Sequence, residues 1–150
     1  MKNTIKDFVN SKKIGLVGIS SDNKKYGNAL FREISAKGYD VYPVSRNSDV
    51  IEGRKCHKTI SELYGVVDSV IIATNKKDTL ELVRKIEPGK IKNIWFCKGT
   101  NTPESIEEAK AKNMNIVSGY CPLMFMDPKS IHKVHEFFSR LFRLYPRDNN

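Results

Sequence analysis

Cysteine is scarce in this chain of 150 residues: Cys56, Cys97 and Cys121, widely spaced and odd in number. A disulfide framework is thereby excluded, and so is a zinc site, because no ligands stand at a workable spacing. The thiols are expected to be reduced. Long apolar runs are missing as well. No stretch approaches the roughly 20 apolar residues that cross a bilayer. The opening Met1-Lys2-Asn3-Thr4-Ile5-Lys6-Asp7 lacks the apolar core of a secretory signal. The expectation is a cytoplasmic protein with no membrane association. Acidic residues are in deficit, 17 against 26 lysines and arginines, which leaves a formal charge of +9. Such a charge attracts phosphates of any kind. No dense basic block with interleaved aromatics occurs, however, and lysines are scattered as at Lys24-Lys25, Lys76-Lys77 and Lys110 to Lys112. A dedicated nucleic-acid interface is therefore not expected.

What is present is an alternation of short apolar runs with helical patterns, without internal repeat or low-complexity tract. The length suits one domain over residues 1–150, with a core at about 13–121. Ile5, Phe8 and Val9 predict a short leading helix behind a cap at Asn3 or Thr4. Strands are expected at Lys13 to Gly18, Tyr39 to Val44, Asp68 to Thr74, Asn93 to Cys97 and Asn115 to Ser118. Pro43 marks its strand as an edge or a strand end. Helices are expected from Gly27 to Lys37, Thr79 to Ile86 and Thr102 to Lys112, with Gly38 and Asn113 as left-handed stops. Between Val50 and Tyr64 the pattern reads as a turn, a short strand and a short capped helix. The fold class is α/β, a three-layer Rossmann-like domain with a five-stranded, mainly parallel sheet. An added amphipathic helix is expected at about 128–145, carrying Ile131, Val134, Phe137, Phe138, Leu141, Phe142 and Tyr145. Packing on its own domain is the first reading of that stripe, a homodimer the second, and membrane contact a distant third.

One stretch organises the rest. Ile14-Gly15-Leu16-Val17-Gly18-Ile19 breaks into a polar loop, Ser20 to Tyr26, and resumes at Gly27-Asn28-Ala29-Leu30-Phe31 with helical spacing. A buried strand, a loop and a helix start form the phosphate-binding corner of an open α/β sheet. Gly18 lets backbone approach a ligand, and the helix start favours an anion. Ser20 and Ser21 add hydroxyl donors. The dinucleotide fingerprint is not matched, because Ser20 stands where a second glycine belongs and the loop is too long. At the tip of the second strand, Ser45-Arg46 stands where NAD enzymes place a carboxylate for the ribose, whereas an arginine suits a ribose bearing a phosphate. An exposed arginine in a turn is the plain alternative. Asn75 and Lys76 sit at another carboxyl strand end and face the same crevice, unless they only start a helix capped by Asp78. His57 reads as a surface or packing histidine.

In order and spacing, Val17-Gly18-Ile19-Ser20, Gly38-Tyr39-Asp40-Val41-Tyr42-Pro43-Val44, Gly53, Ser61-Glu62-Leu63, Asp68-Ser69-Val70, Trp95 with Gly99, and Cys121 resemble the small stand-alone CoA-binding proteins. Their fold looks like the nucleotide-binding domain of the succinyl-CoA synthetase alpha subunit. The resemblance covers about Lys13 to Cys121. It implies a crevice for the adenosine diphosphate part of coenzyme A. The diphosphate role falls on Gly18, Ser20, Ser21, Tyr26, Gly27 and Asn28, with Lys24 as a further phosphate candidate, and the adenosine role on Ser45 and Arg46. Lys98 and Gly99 follow a later strand near the same rim. Three positions depart from the family pattern: Ser45-Arg46 replaces a usual Asn-Pro, Cys97 replaces a glutamine common two residues after the tryptophan, and Asn113 replaces a glycine.

No nucleophile with a base and no carboxylate pair is spaced for catalysis. Cys121 precedes a proline and a helix and could react or pair with a ligand thiol; a buried structural cysteine is the plain reading of it and of Cys97. The expectation is a non-catalytic module that binds CoA or an acyl-CoA, as a sensor or beside a protein partner not yet known. An NADP-binding oxidoreductase is the alternative that Arg46 permits. A third is a basic interaction protein with an empty crevice.

Overall fold

The computed structural model describes residues 2–22 and 24–126. The amphipathic segment at about 128–145, with its possible dimer contact, lies outside the described residues.

Helix α1 (Lys2–Asn10) leads into β1 (Lys13–Val17), α2 (Tyr26–Ala36) and β2 (Asp40–Val44). A hairpin of β3 (Val50–Ile51) and β4 (Arg54–Lys55) follows, then a 3₁₀ turn at Ile60–Leu63. Next come β5 (Ser69–Ile72), α3 (Lys76–Lys85), β6 (Asn93–Phe96), α4 (Pro103–Ala111) and β7 (Asn115–Ser118). A second 3₁₀ turn lies at Pro122–Met124. The five long strands form one parallel sheet in the order β2-β1-β5-β6-β7. The fold is the α/β, Rossmann-like one that the alternation predicts.

The central strands β1, β5 and β6 are buried on both faces, so their residues alternate between two cores. Ile14 and Leu16 of β1, Val41, Ile71 and Trp95 meet Ile5 and Phe8 of α1 and Leu30 and Ile34 of α2 on one side. The Trp95 ring holds Phe8 edge-on at 5.2 Å and Phe125 at 6.0 Å. Val17, Val70, Ile72, Ile94 and Phe96 face the other side, where Val83 of α3 and Ala109 of α4 cover them.

The second face is covered unevenly. α3 and α4 lie over its β5 to β7 half, whereas the crossover from β2 to β5 contains only the hairpin and the 3₁₀ turn, with Leu63 pressed against Gly15. Above β1 and β2 the usual crossover helix is missing, and an opening is left at the carboxyl ends of the strands.

The sequence reading and the structure differ in two places of consequence. Helix α3 begins at Lys76 rather than Thr79, because Asn75 and not Asp78 is its cap: the Asn75 side-chain oxygen accepts from the Asp78 amide at 2.8 Å. The segment after Val50 is a two-residue hairpin whose turn places Glu52 at φ 51° and Gly53 at φ 75°. Glu52 is an unusual occupant of that conformation, and its carboxylate is held by Arg32 of α2 at 2.8 Å. Pro43 does lie in an edge strand, and its carbonyl accepts the His57 amide at 2.8 Å.

Candidate ligand-binding site

The polypeptide crosses itself closely at the end of β1. Gly18 has φ +108°, and a side-chain carbon there would overlap the Ala73 carbonyl just beyond β5. A side-chain carbon at Gly27 would overlap the Gly18 carbonyl. The first loop is thus clamped between the neighbouring strand end and the first turn of α2, a packing only glycine permits.

Asn28, 1 % exposed, fixes the loop from beneath. Its side-chain oxygen accepts the Ser20 amide at 3.0 Å, and its nitrogen donates to the Ser20 carbonyl at 2.7 Å and to Glu52 at 3.4 Å. The Ser20 hydroxyl accepts the Asp22 amide at 3.1 Å. Above this loop α2 begins at Tyr26 behind Lys25, which makes no side-chain capping bond. Its first turn contains no acidic residue. Such a start directs amide donors and the positive end of the helix dipole at whatever occupies the opening.

The opening is a cavity of about 730 Å³, within the range of small-molecule sites. It lies at the strand-order reversal between β1 and β5, where open α/β sheets hold ligands. Its polar rim is made by Gly18, Ser20, Ser21, Lys25, Tyr26 and Gly27 on one side and by Ser45, Arg46, Ser48 and Lys58 on the other. Its deeper wall is aliphatic and aromatic: Val17, Val44, Ile60, Tyr64, Leu82 and Ile86. Asn75 and Asp78 close the end next to α3.

Arg46 is exposed and has no ion-pair partner among the described residues. The other arginines described are engaged, Arg32 with Glu52, Arg54 with Asp40 at 2.5 Å and Arg84 with Glu108 at 3.7 Å. Lys58 was not foreseen at the site. Its ammonium donates to the Ser48 carbonyl at 2.7 Å and to Asp49 at 2.8 Å, and this fixes the loop that carries Arg46.

Of the sequence candidates, Gly18, Ser20, Ser21, Tyr26, Gly27, Ser45, Arg46 and Asn75 line this one cavity. Asn28 stands behind it as the support of Ser20. Lys24, Lys76, Lys98 and Gly99 are exposed along the same edge and do not line it. Ile60, Tyr64, Leu82 and Ile86 were missed because in sequence they are ordinary core residues. His57 packs beside Tyr42 with ring centres 5.9 Å apart, and its Nδ1 lies 3.8 Å from Glu62, as a packing histidine does.

Two thiols stand beyond Tyr26. Its hydroxyl is 3.0 Å from Cys121 Sγ, and burial, followed by the bond to Cys121, pushes its pKa up. Burial pushes the Cys97 thiol up to about 12, so this cysteine is protonated at neutral pH.

The comparisons with known proteins agree with this fold. The chain matches the CoA binding domain family over residues 12–127. It is 37% identical over 111 residues to the ADP-forming acetate–CoA ligase II subunit alpha of Pyrococcus furiosus, and covers 73% of this chain but 24% of that subunit. The chain therefore spans about a quarter of that curated relative. A conserved hypothetical protein from Pyrococcus furiosus has the same fold with TM-score 0.69 and 32% identity, covering 73% of this chain and 95% of its own. A hypothetical protein from Pyrococcus horikoshii gives TM-score 0.75 and 26% identity over 91% of both chains. The ligand named by the family is CoA, and the NADP alternative finds no support in these likenesses. Fold, cavity and similarity together place the chain in the CoA-binding domain family.

Proposed function

We propose that the chain binds coenzyme A or an acyl-CoA through its adenosine diphosphate part at the carboxyl ends of β1, β2 and β5, as a module without a catalytic step of its own. The observation that carries this reading is the cradle at Gly18 and Gly27, where side-chain carbons would fill backbone space directly under an uncapped helix start. A diphosphate suits that place. Its oxygens take donors from the amides of Tyr26 and Gly27 and from the hydroxyls of Ser20 and Ser21. The aliphatic wall of Ile60, Leu82 and Ile86 suits the faces of an adenine ring. Ser45 and the unpaired Arg46 suit a phosphorylated ribose, and Lys25 adds charge at the rim. Lys24, Asn75, Lys76, Lys98 and Gly99 stand along the edge over which a longer ligand continues.

The module reading follows from the kind of groups around the loop. Amides, hydroxyls and ammonium groups hold an anion, and the nearby carboxylates of Asp22 and Asp78 are tied to the Lys24 amide and to Asn75. Residues 1–150 then act as one binding domain, and a protein partner supplies any chemistry at the thiol end. The ligase activity of the Pyrococcus furiosus relative belongs to a subunit of which this chain matches 24%.

Calorimetric titration of the reduced protein with CoA, dephospho-CoA, NADP and NAD under identical salt tests the reading. CoA is expected to bind more tightly than the other three. Binding of NADP without binding of CoA would overturn it.

A further inference from the structure

Cys121 packs against the buried cluster that contains Cys97, although the two stand 24 positions apart in sequence. Cys97 directly follows β6 and is 1 % exposed. Cys121 follows β7 in a loop held down by two contacts. The Trp95 indole donates to the Tyr120 carbonyl at 2.9 Å, and Tyr120 packs edge-on against Phe125 at 5.8 Å. These contacts bring the loop back over the end of β6. The Cys121 sulfur lies 3.0 Å from the Tyr26 hydroxyl, and Cys97, two residues beyond Trp95 and in the same buried cluster, lies beneath the loop that Trp95 holds. Tyr26 itself is 49% exposed. The third cysteine, Cys56, is buried in the β2 to β4 region, its sulfur toward the Ser45 and His57 carbonyls.

We propose that Cys97 and Cys121 are a modification site: a dithiol that a low-molecular-weight disulfide oxidises to an internal disulfide, entering at Cys121. Exposure sets the order. Cys121, partly exposed, attacks one sulfur of the incoming disulfide R–S–S–R as its thiolate, which forms the Cys121–S–S–R bond and expels RS⁻. Cys97 then attacks the Cys121 sulfur, closes the Cys97–Cys121 bond and expels the second RS⁻. The protons from the two cysteines end on the two RSH products, so the protein is oxidised by two electrons and the small disulfide reduced by two. The buried Cys97 gives up its proton reluctantly, and the second step is the slower one. The pair belongs to this chain's own sequence, since Cys97 stands where the resembled family usually has glutamine.

The test uses the full reduced chain under native conditions with oxidised glutathione as the probe, followed by intact mass and non-reducing peptide mapping. A glutathionyl adduct on Cys121 is expected first. It then gives way to a Cys97–Cys121 cross-linked peptide pair, seen as the loss of two hydrogens from the intact chain, with Cys56 left unmodified. Cys97→Ser is expected to stop at the adduct, and Cys121→Ser to form neither adduct nor disulfide. Because the wild-type peptide map decides the matter alone, misfolding of a variant leaves the test intact. An unreactive native chain, an adduct that never closes, or a disulfide that includes Cys56 would each sink the proposal.

Discussion

Three helices begin at the carboxyl edge of the sheet, and they begin differently. α3 is capped by Asn75, whose nitrogen also donates to the Asp78 carboxylate at 2.8 Å, and α4 by a full capping box in which Thr102 and Ser105 satisfy each other. Each also carries an acidic residue in its first turn, Asp78 and Glu104. α2 has neither cap nor acid, and it alone rests on a glycine crossing. The first two starts have spent their donors on their own side chains. The third keeps its donors for an anion, so the binding end of the domain is marked by what its helix lacks.

The comparison breaks most severely at Gly18. Gly18→Ala places a methyl carbon against the Ala73 backbone at φ +108°, where no flexible side-chain end can give way. Left-handed strain and overpacking together predict a loss of roughly 2–5 kcal/mol. Denaturant unfolding is expected to show that loss, with CoA binding abolished in the fraction still folded. A variant of unchanged stability and affinity would mean that the crossing does not shape the site.

Much of this edge was legible in the sequence, for a physical reason. Strand, glycine, polar loop and helix are local, and Ile14 to Leu30 carries both the hydrophobic period and the one residue type that a close crossing allows. Legibility failed where the deciding partner is remote or where two residues compete for one role. Asn75 and Asp78 are both good caps, and the chain path out of β5 selects Asn75. Glu52 holds a left-handed turn beside an Arg32 that is 20 residues away in sequence. Lys58 becomes a site residue only through Ser48 and Asp49. The apolar wall of the cavity exists because the β2 to β5 crossover forms no helix, and single residues such as Ile60 or Leu82 give no sign of that.

Arg46 sharpens the comparison by separating two phosphate positions. If α2 holds the diphosphate and Arg46 a ribose phosphate, Arg46→Glu should weaken CoA by about tenfold to a hundredfold, the worth of one charge-assisted contact. Dephospho-CoA should weaken much less, because its diphosphate still meets the α2 start. Paired titrations of both ligands at one salt concentration check this. Equal weakening of the two would remove Arg46 from the ribose phosphate and leave it a general attractor at the rim.

The smallest effect is expected at a start that has no ligand to hold. Thr102→Ala removes the hydroxyl that accepts the Ser105 amide at 3.1 Å and opens the capping box of α4. Stability should fall by about 1 kcal/mol. CoA affinity should not change, because Thr102 does not line the cavity. Thermal unfolding and titration of the same sample separate the two quantities. A change in affinity as large as that from Arg46→Glu would mean that the ligand spans all three helix starts, and α2 would lose its distinction.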